Sequence, residues 1–262
     1  MKHPSGRALF AGPIVALLVA PIAHAQDYGA FDMSVLGMNG AIDHVTRVER
    51  ARAGKGGVAE PLGFSSRLAS NLSAQIGDGA QQPAAATVDG SYRPDPAIRR
   101  KLADIMAQGA AKNGAQQQEA EMRKLVLSGQ AVREYEKIAP AIGFRANDAI
   151  DGLAFYLLAQ WGVANDYRAM FTRSQAASVR RQAANAFAGV ADQVTTDALR
   201  QEFGEMLMIQ GAIMAGVHES AVKAGDETAV ARYATMAREG GTQLFGADPT
   251  MIELTDMGFR RK

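Results

Sequence analysis

The sequence predicts an all-α fold: an antiparallel bundle of about six helices, preceded by a signal peptide and a flexible N-terminal arm. Three observations predict it. From about Ser91 onward Ala, Leu, Met, Gln, Glu, Lys and Arg dominate while β-branched residues are sparse, a composition that favours helix. Apolar positions in that region recur three and four residues apart, as one face of a helix requires. Pro, Gly and short polar residues stand where such runs begin and end.

Taken in order, "PDPAIRRKLADIMAQGAAKN" opens with Asp95 as N-cap and Pro96 at the first helical position, where a missing N–H costs nothing. Ile98, Leu102 and Ile105 or Met106 form its stripe. "AQQQEAEMRKLVLSGQAVREYEKIAP" is expected to break near Ser128-Gly129 and to close at Pro140. Asn147 or Asp148 caps a helix containing "DGLAFYLLAQWG" (151–162), apolar nearly all round, which places it in the middle of a bundle. Its uncharged interval, Gly152 to Asn165, is 14 residues, short of the ~20 that a membrane span needs. "SQAASVRRQAANAFAGVAD" starts from Ser174. The clearest helix is "TTDALRQEFGEMLMIQGAIMAGVHESAVKAG", with Leu199, Phe203, Met206, Gln210, Ile213 and Val217 along one seam. Gly225 and Asp226 punctuate, and a last helix precedes a short tail.

The first 25 residues read as a secretory signal: Lys2 and Arg7, an apolar run from about Ala8 to Ala20, then Ala23-His24-Ala25, with cleavage expected between Ala25 and Gln26. Residues 26–90 read as a low-complexity arm or linker rich in Gly, Ala, Ser and Gln, because such stretches bury too little apolar surface to offset the entropy of ordering. Within it, 29–38 and 65–76 are apolar enough to dock. Residues 91–262 form the helical domain. The expected localisation is periplasmic or secreted.

Composition narrows the chemistry. The chain has no cysteine, which excludes disulfides, thiolate nucleophiles, cysteine-bound metals and a lipid-modified cysteine after the leader. It carries 28 Lys+Arg and 27 Asp+Glu; the leader holds only Lys2 and Arg7, so the remainder balances 26 against 27 and no nucleic-acid partner is expected.

The segments "SYRPDPAIRR", "LSGQAVREYEKIAPAIGFRANDAIDGLAFYLLAQW", "SQAASVRRQAANAF" and "ELTDMGF", in that order, resemble an uncharacterised family of exported bacterial proteins known as a domain of unknown function, over about Ser91 to Phe259. The resemblance implies a mostly helical domain behind a signal peptide and a variable linker. It brings no catalytic residues with it.

Sequence motifs supply none either. "HESAV" (218–222) begins like a zinc-protease helix, but Val222 stands where the second histidine is needed, and His218 reads instead as a helix-boundary residue beside Met214. Ala215, three before His218, removes the Glu-x-x-His pair of a di-metal bundle. "AGKGG" lacks the spacing of a phosphate loop, and no nucleophile elbow occurs. No catalytic, cofactor-binding or metal residues, and no cofactor, are therefore expected. Three carboxylate pairs, Glu134/Glu136, Asp148/Asp151 and Glu202/Glu205, are nominal candidates for glycoside hydrolysis, although helix caps and solvated faces explain such pairs more simply. Gln210 in an apolar seam reads as a buried amide with a local partner or as a ligand contact. Tyr156, Trp161 and Tyr167 are the residues that would wall a ligand pocket, with core packing the simpler role.

Three functions remain: a non-enzymatic binding or structural adaptor protein of the envelope with a protein partner, a carrier of an apolar small ligand in the bundle core, and a cell-wall hydrolase using paired carboxylates. The first is favoured by the missing catalytic motifs and the long arm.

Overall fold

The computed structural model describes residues 64–77, 87–112 and 119–262. The cleavage site at Ala25 and Gln26 lies outside the described residues. The described residues form eight α-helices and one β-hairpin: α1 Phe64–Gln75, α2 Pro96–Lys112, α3 Glu119–Ser128, α4 Gln130–Ile142, α5 Ala149–Ala164, α6 Arg173–Ala188, α7 Asp197–Ala224, α8 Glu227–Phe245, then β1 Ile252–Thr255 and β2 Gly258–Arg261. The all-α expectation stands, with more helices than about six. None of these helices is long and apolar enough to cross a membrane.

The bundle is organised around α5, as its all-round apolarity requires. Every residue of α5 except Phe155 is buried, and α6, α7 and α8 pack around it. Asp148 is its N-cap, accepting from the N–H groups of Ile150 and Asp151 at 2.9 and 3.0 Å, while Asn147 takes the left-handed conformation before it. Close approach of α5 to α7 depends on paired glycines. A Cβ on Gly152 would stand 2.7 Å from the carbonyl oxygen of Gly204, and one on Gly204 would stand 2.9 Å from the Cα of Ala149.

Several expectations need correcting. The stretch read as an arm is not one throughout: residues 64–76, which include the 65–76 segment expected to dock, form α1 and its end, and Leu68, Leu72 and Ile76 recur every four residues and are buried against α6 and α8. The packed body thus extends upstream of Ser91. Pro140 does not close α4, which continues to Ile142 and ends at Gly143 with φ 83°, a left-handed cap that glycine adopts freely. The cap of α6 is Thr172 rather than Ser174, because Gln175 three residues on completes a reciprocal capping box with it.

The C-terminal "tail" is an antiparallel hairpin, with Leu254 opposite Phe259 and Glu253 opposite Arg260. Its register leaves the backbone of Phe259 facing outward from β2, and α6 meets it there. Gln182 Nε2 donates to the carbonyl of Phe259 at 2.7 Å, and the Phe259 N–H donates to Gln182 Oε1 at 2.9 Å. Trp161 Nε1 donates to the carbonyl of Ile252 at 2.9 Å on β1. Two helix side chains thus take up edge groups that a further strand would otherwise bond.

Candidate functional site

The chemistry-bearing side chains gather in two buried charged clusters and one aromatic end. The first cluster forms where the 145–151 segment enters α5. Asp148 and Asp151 are almost fully buried, at 1% and 0% exposure, and are met by two arginines. Arg145 pairs with Asp148 through its guanidinium and reaches Asp151 through Nε at 3.2 Å and its backbone N–H at 2.8 Å. Arg180 from α6 pairs with Asp151 and stands 3.7 Å from Asp148. Burial, and after it the charge of Asp148, raises the pKa of Asp151 above the usual carboxylate value, against the pull of Arg180 and the Arg145 N–H. Residues 90–92 close this cluster through an isolated antiparallel bridge of Ser91 to Asp148: Tyr92 N–H donates to the Asn147 carbonyl at 3.0 Å, and Ala149 N–H to the Gly90 carbonyl at 2.8 Å.

The second cluster lies on the first turns of α7. Glu205 accepts two hydrogen bonds from Arg99 of α2, at 2.8 and 3.1 Å, and one from Gln201 Nε2 at 3.0 Å. Glu202 accepts from Lys101 Nζ at 2.7 Å through one oxygen, while its buried Oε1 has no partner. Gln201 Oε1 in turn accepts from the Asp95 N–H at 2.7 Å, tying the start of α2 to α7. Tyr92 stands between the clusters. Its buried hydroxyl is unpartnered, and burial, helped by the charge of Glu205, raises its pKa.

Two of the three carboxylate pairs are therefore neither solvated faces nor an accessible acid–base couple. Asp148 is indeed a cap, but a buried one. In both clusters a cation from another segment neutralises the carboxylates, which permits burial that an unpaired charge would not tolerate. Glu134 is half-buried and pairs with Lys137 at 2.7 Å, and Glu136 is exposed on α4.

The aromatic end is built by the loop after α5. Trp161 and Tyr167 come together, with ring centroids 5.3 Å apart, and Tyr167 stacks on Phe171 at 5.2 Å and 14°. Trp161 also meets Phe259, 6.1 Å away, so this cluster seats the hairpin. Tyr156 is buried farther back along α5, where its Cα would lie 3.3 Å from a Cβ on Gly211 of α7; burial raises its pKa. Gln210 is buried, but its Oε1 lacks the local partner expected for it. His218 is not a helix-boundary residue: it lies in the body of α7, buried, with Nε2 3.1 Å from Asp166 Oδ1. Among the described residues, no three His, Asp or Glu side chains come close enough to hold a metal ion.

Arg99, Lys101, Arg145, Arg180, Tyr92 and Gln182 were not singled out by sequence. Their signal was faint: cations beside apolar helix starts look like solvated residues until a partner segment arrives.

The described residues thus form an all-α bundle in which the buried carboxylates Asp148, Asp151, Glu202 and Glu205 are paired internally. The chain belongs to a family of unknown function, DUF6683, whose model matches residues 56–262. That match covers all eight helices and the hairpin. No curated protein matches the chain, and no solved structure does.

Proposed function

We propose that the protein is an exported, non-enzymatic binding or structural protein of the bacterial envelope, periplasmic or secreted after cleavage between Ala25 and Gln26. The observation that carries this reading is the use made of the buried carboxylates. Asp148 and Asp151 are joined to α6 through Arg180, and Glu202 and Glu205 to α2 through Lys101 and Arg99. A glycosidase needs two carboxyl groups flanking a cleft that admits a sugar. These four are at most 1% exposed, so they serve as pins of the scaffold.

The surface supports a binding role. Met170 and Met257 are more than half exposed and lie on neighbouring segments, since Thr172 Oγ1 stands 3.4 Å from Asp256 Oδ1 at the hairpin turn. Exposed methionines make adaptable apolar contacts with a protein partner. The carrier reading draws less support, because Trp161 and Tyr167 are engaged in seating the hairpin and the loop.

The test is crosslinking of the secreted chain in its native envelope, followed by mass spectrometry of bound proteins and small molecules. A stoichiometric protein partner lost in Met170→Asp or Met257→Asp, or on deleting residues 26–55, supports the proposal. A retained lipid without a protein partner supports the carrier instead, and turnover of peptidoglycan by the purified chain overturns the non-enzymatic reading.

A further inference from the structure

Two guanidinium groups from different helices meet over Gly129, the residue that joins α3 to α4. The position a Cβ would take on Gly129 lies 3.0 Å from Arg99 Nη1 of α2 and 3.3 Å from Arg133 Nη1 of α4. Each group is held by the scaffold. Arg99 gives Nε and Nη2 to Glu205, which is fully buried, so its guanidinium is fixed while Nη1 stays free at the junction. Arg133 gives Nη1 to the Ser128 carbonyl at 2.6 Å, and its Nε and Nη2 have no acceptor among the described residues.

Like charges this close repel unless something negative stands between them. Glu205 answers for Arg99 alone. Among the described residues no carboxylate forms an ion pair with Arg133, and Glu134 beside it is taken by Lys137. Glu136, exposed one turn along α4, is near enough to act on the charge of Arg99 but pairs with neither arginine. Lys124 of α3, exposed and without a carboxylate partner, borders an open groove together with Leu127 and Ser128. Arg99, Arg133 and Lys124 outnumber Glu205 and Glu136, so the junction carries an excess of positive charge.

We propose that the α3–α4 junction is a phosphate-binding site, in which Arg99 Nη1 and the unused N–H groups of Arg133 hold the oxygens of one phosphate group. An arginine fork matches phosphate, and charge-assisted hydrogen bonds of this kind are the strong ones. Two forks arriving from different helices suit a tetrahedral oxyanion, whose oxygens do not share one plane, better than a flat carboxylate. Because Glu205 already orders Arg99, that side chain loses little freedom when the anion arrives. Leu127, 49% exposed beside Lys124, adds an apolar surface against which the organic part of a phosphate ester would lie. The site stands on this geometry and is independent of the surface at Met170 and Met257.

A soluble phosphate ester and a lipid headgroup share this chemistry, and the experiment separates them. The full chain is titrated with sodium phosphate, with sodium acetate and with sodium chloride at matched ionic strength, following the arginine Nε–H and Gly129 amide signals by NMR. It is also sedimented with vesicles of phosphatidylglycerol. Saturable shifts with phosphate alone are expected, with affinity weakened on the order of tenfold in Arg133→Gln, the loss of one charged hydrogen-bonding partner. Glu136→Gln removes the opposing carboxylate and should tighten binding; it breaks no ion pair of the scaffold, so it keeps the test decisive if Arg133→Gln disturbs the junction. Retention on the vesicles that Arg133→Gln abolishes assigns the site to a lipid headgroup, and saturation by phosphate without retention assigns it to a soluble ester. Shifts that acetate or chloride reproduces, an affinity unchanged in Arg133→Gln, or one that does not rise in Glu136→Gln overturns the site.

Discussion

The carboxamide of Gln182 and the backbone of Phe259 are joined by two hydrogen bonds, 2.7 Å to the carbonyl and 2.9 Å from the N–H. An α-helix side chain here completes the edge of a β-hairpin. It does so in a buried setting where water is no substitute.

Gln182→Ala leaves both Phe259 groups unpartnered, and each buried orphan costs about 1–3 kcal/mol. Unfolding in urea should show a loss of about 2–6 kcal/mol on that scale, with amide exchange of residues 252–261 rising before that of α5. An unchanged hairpin exchange would show that the aromatic contacts alone seat it.

Arg99 and Glu205 offer a double-mutant cycle. Arg99→Met strands a carboxylate that is 0% exposed and should cost about 3–5 kcal/mol. Glu205→Met in that background should recover most of the loss, because a paired set of apolar groups escapes the desolvation penalty. Additive losses would show that the two side chains act independently.

Gly152→Ala places a methyl group 2.7 Å from a backbone oxygen of α7, which cannot swing aside. Overpacking of this kind costs about 1–3 kcal/mol. Gly162→Ala meets only the tip of the Phe171 ring at 3.2 Å and should cost less in thermal melts.

Acid unfolding should follow the caps rather than the buried cluster. The hydrogen bonds from Thr250 to Asp248, and from Arg200 and Arg93 to Asp197, lower those carboxyl pKa values below 3.8. They contribute stability above that value which is lost as pH falls through their depressed ones. Asp151 has the opposite sign: its raised pKa means the folded state holds its proton more tightly, so acidification does not count against it. Asp248→Asn should therefore flatten the acid limb of a stability–pH curve, and Asp151→Asn should leave that limb steep.

Much of the fold was legible because helix-forming composition and capping are local. Asp148 and Gly225 begin and end helices as their chemistry dictates, and a segment apolar all round, Gly152–Ala164, had to lie at the centre. The hairpin was missed because "IELTDMGFRR" carries only four residues a strand, too short for periodicity to stand out. α1 was underestimated because its stripe of Leu68, Leu72 and Ile76 is surrounded by Ser, Asn and Gln.

By itself the sequence determined the helical class, the order of the helices, the absence of thiol chemistry and the missing zinc spacing, since each depends on residue type and near neighbours. Only the tertiary structure decided which charges are buried. Arg99 is more than a hundred residues from Glu205, and Gln182 lies 77 residues from Phe259. Whether a carboxylate is a solvated face, a catalyst or a pin depends on what the chain brings against it, and that pairing is set by the packing of distant helices rather than by any local pattern.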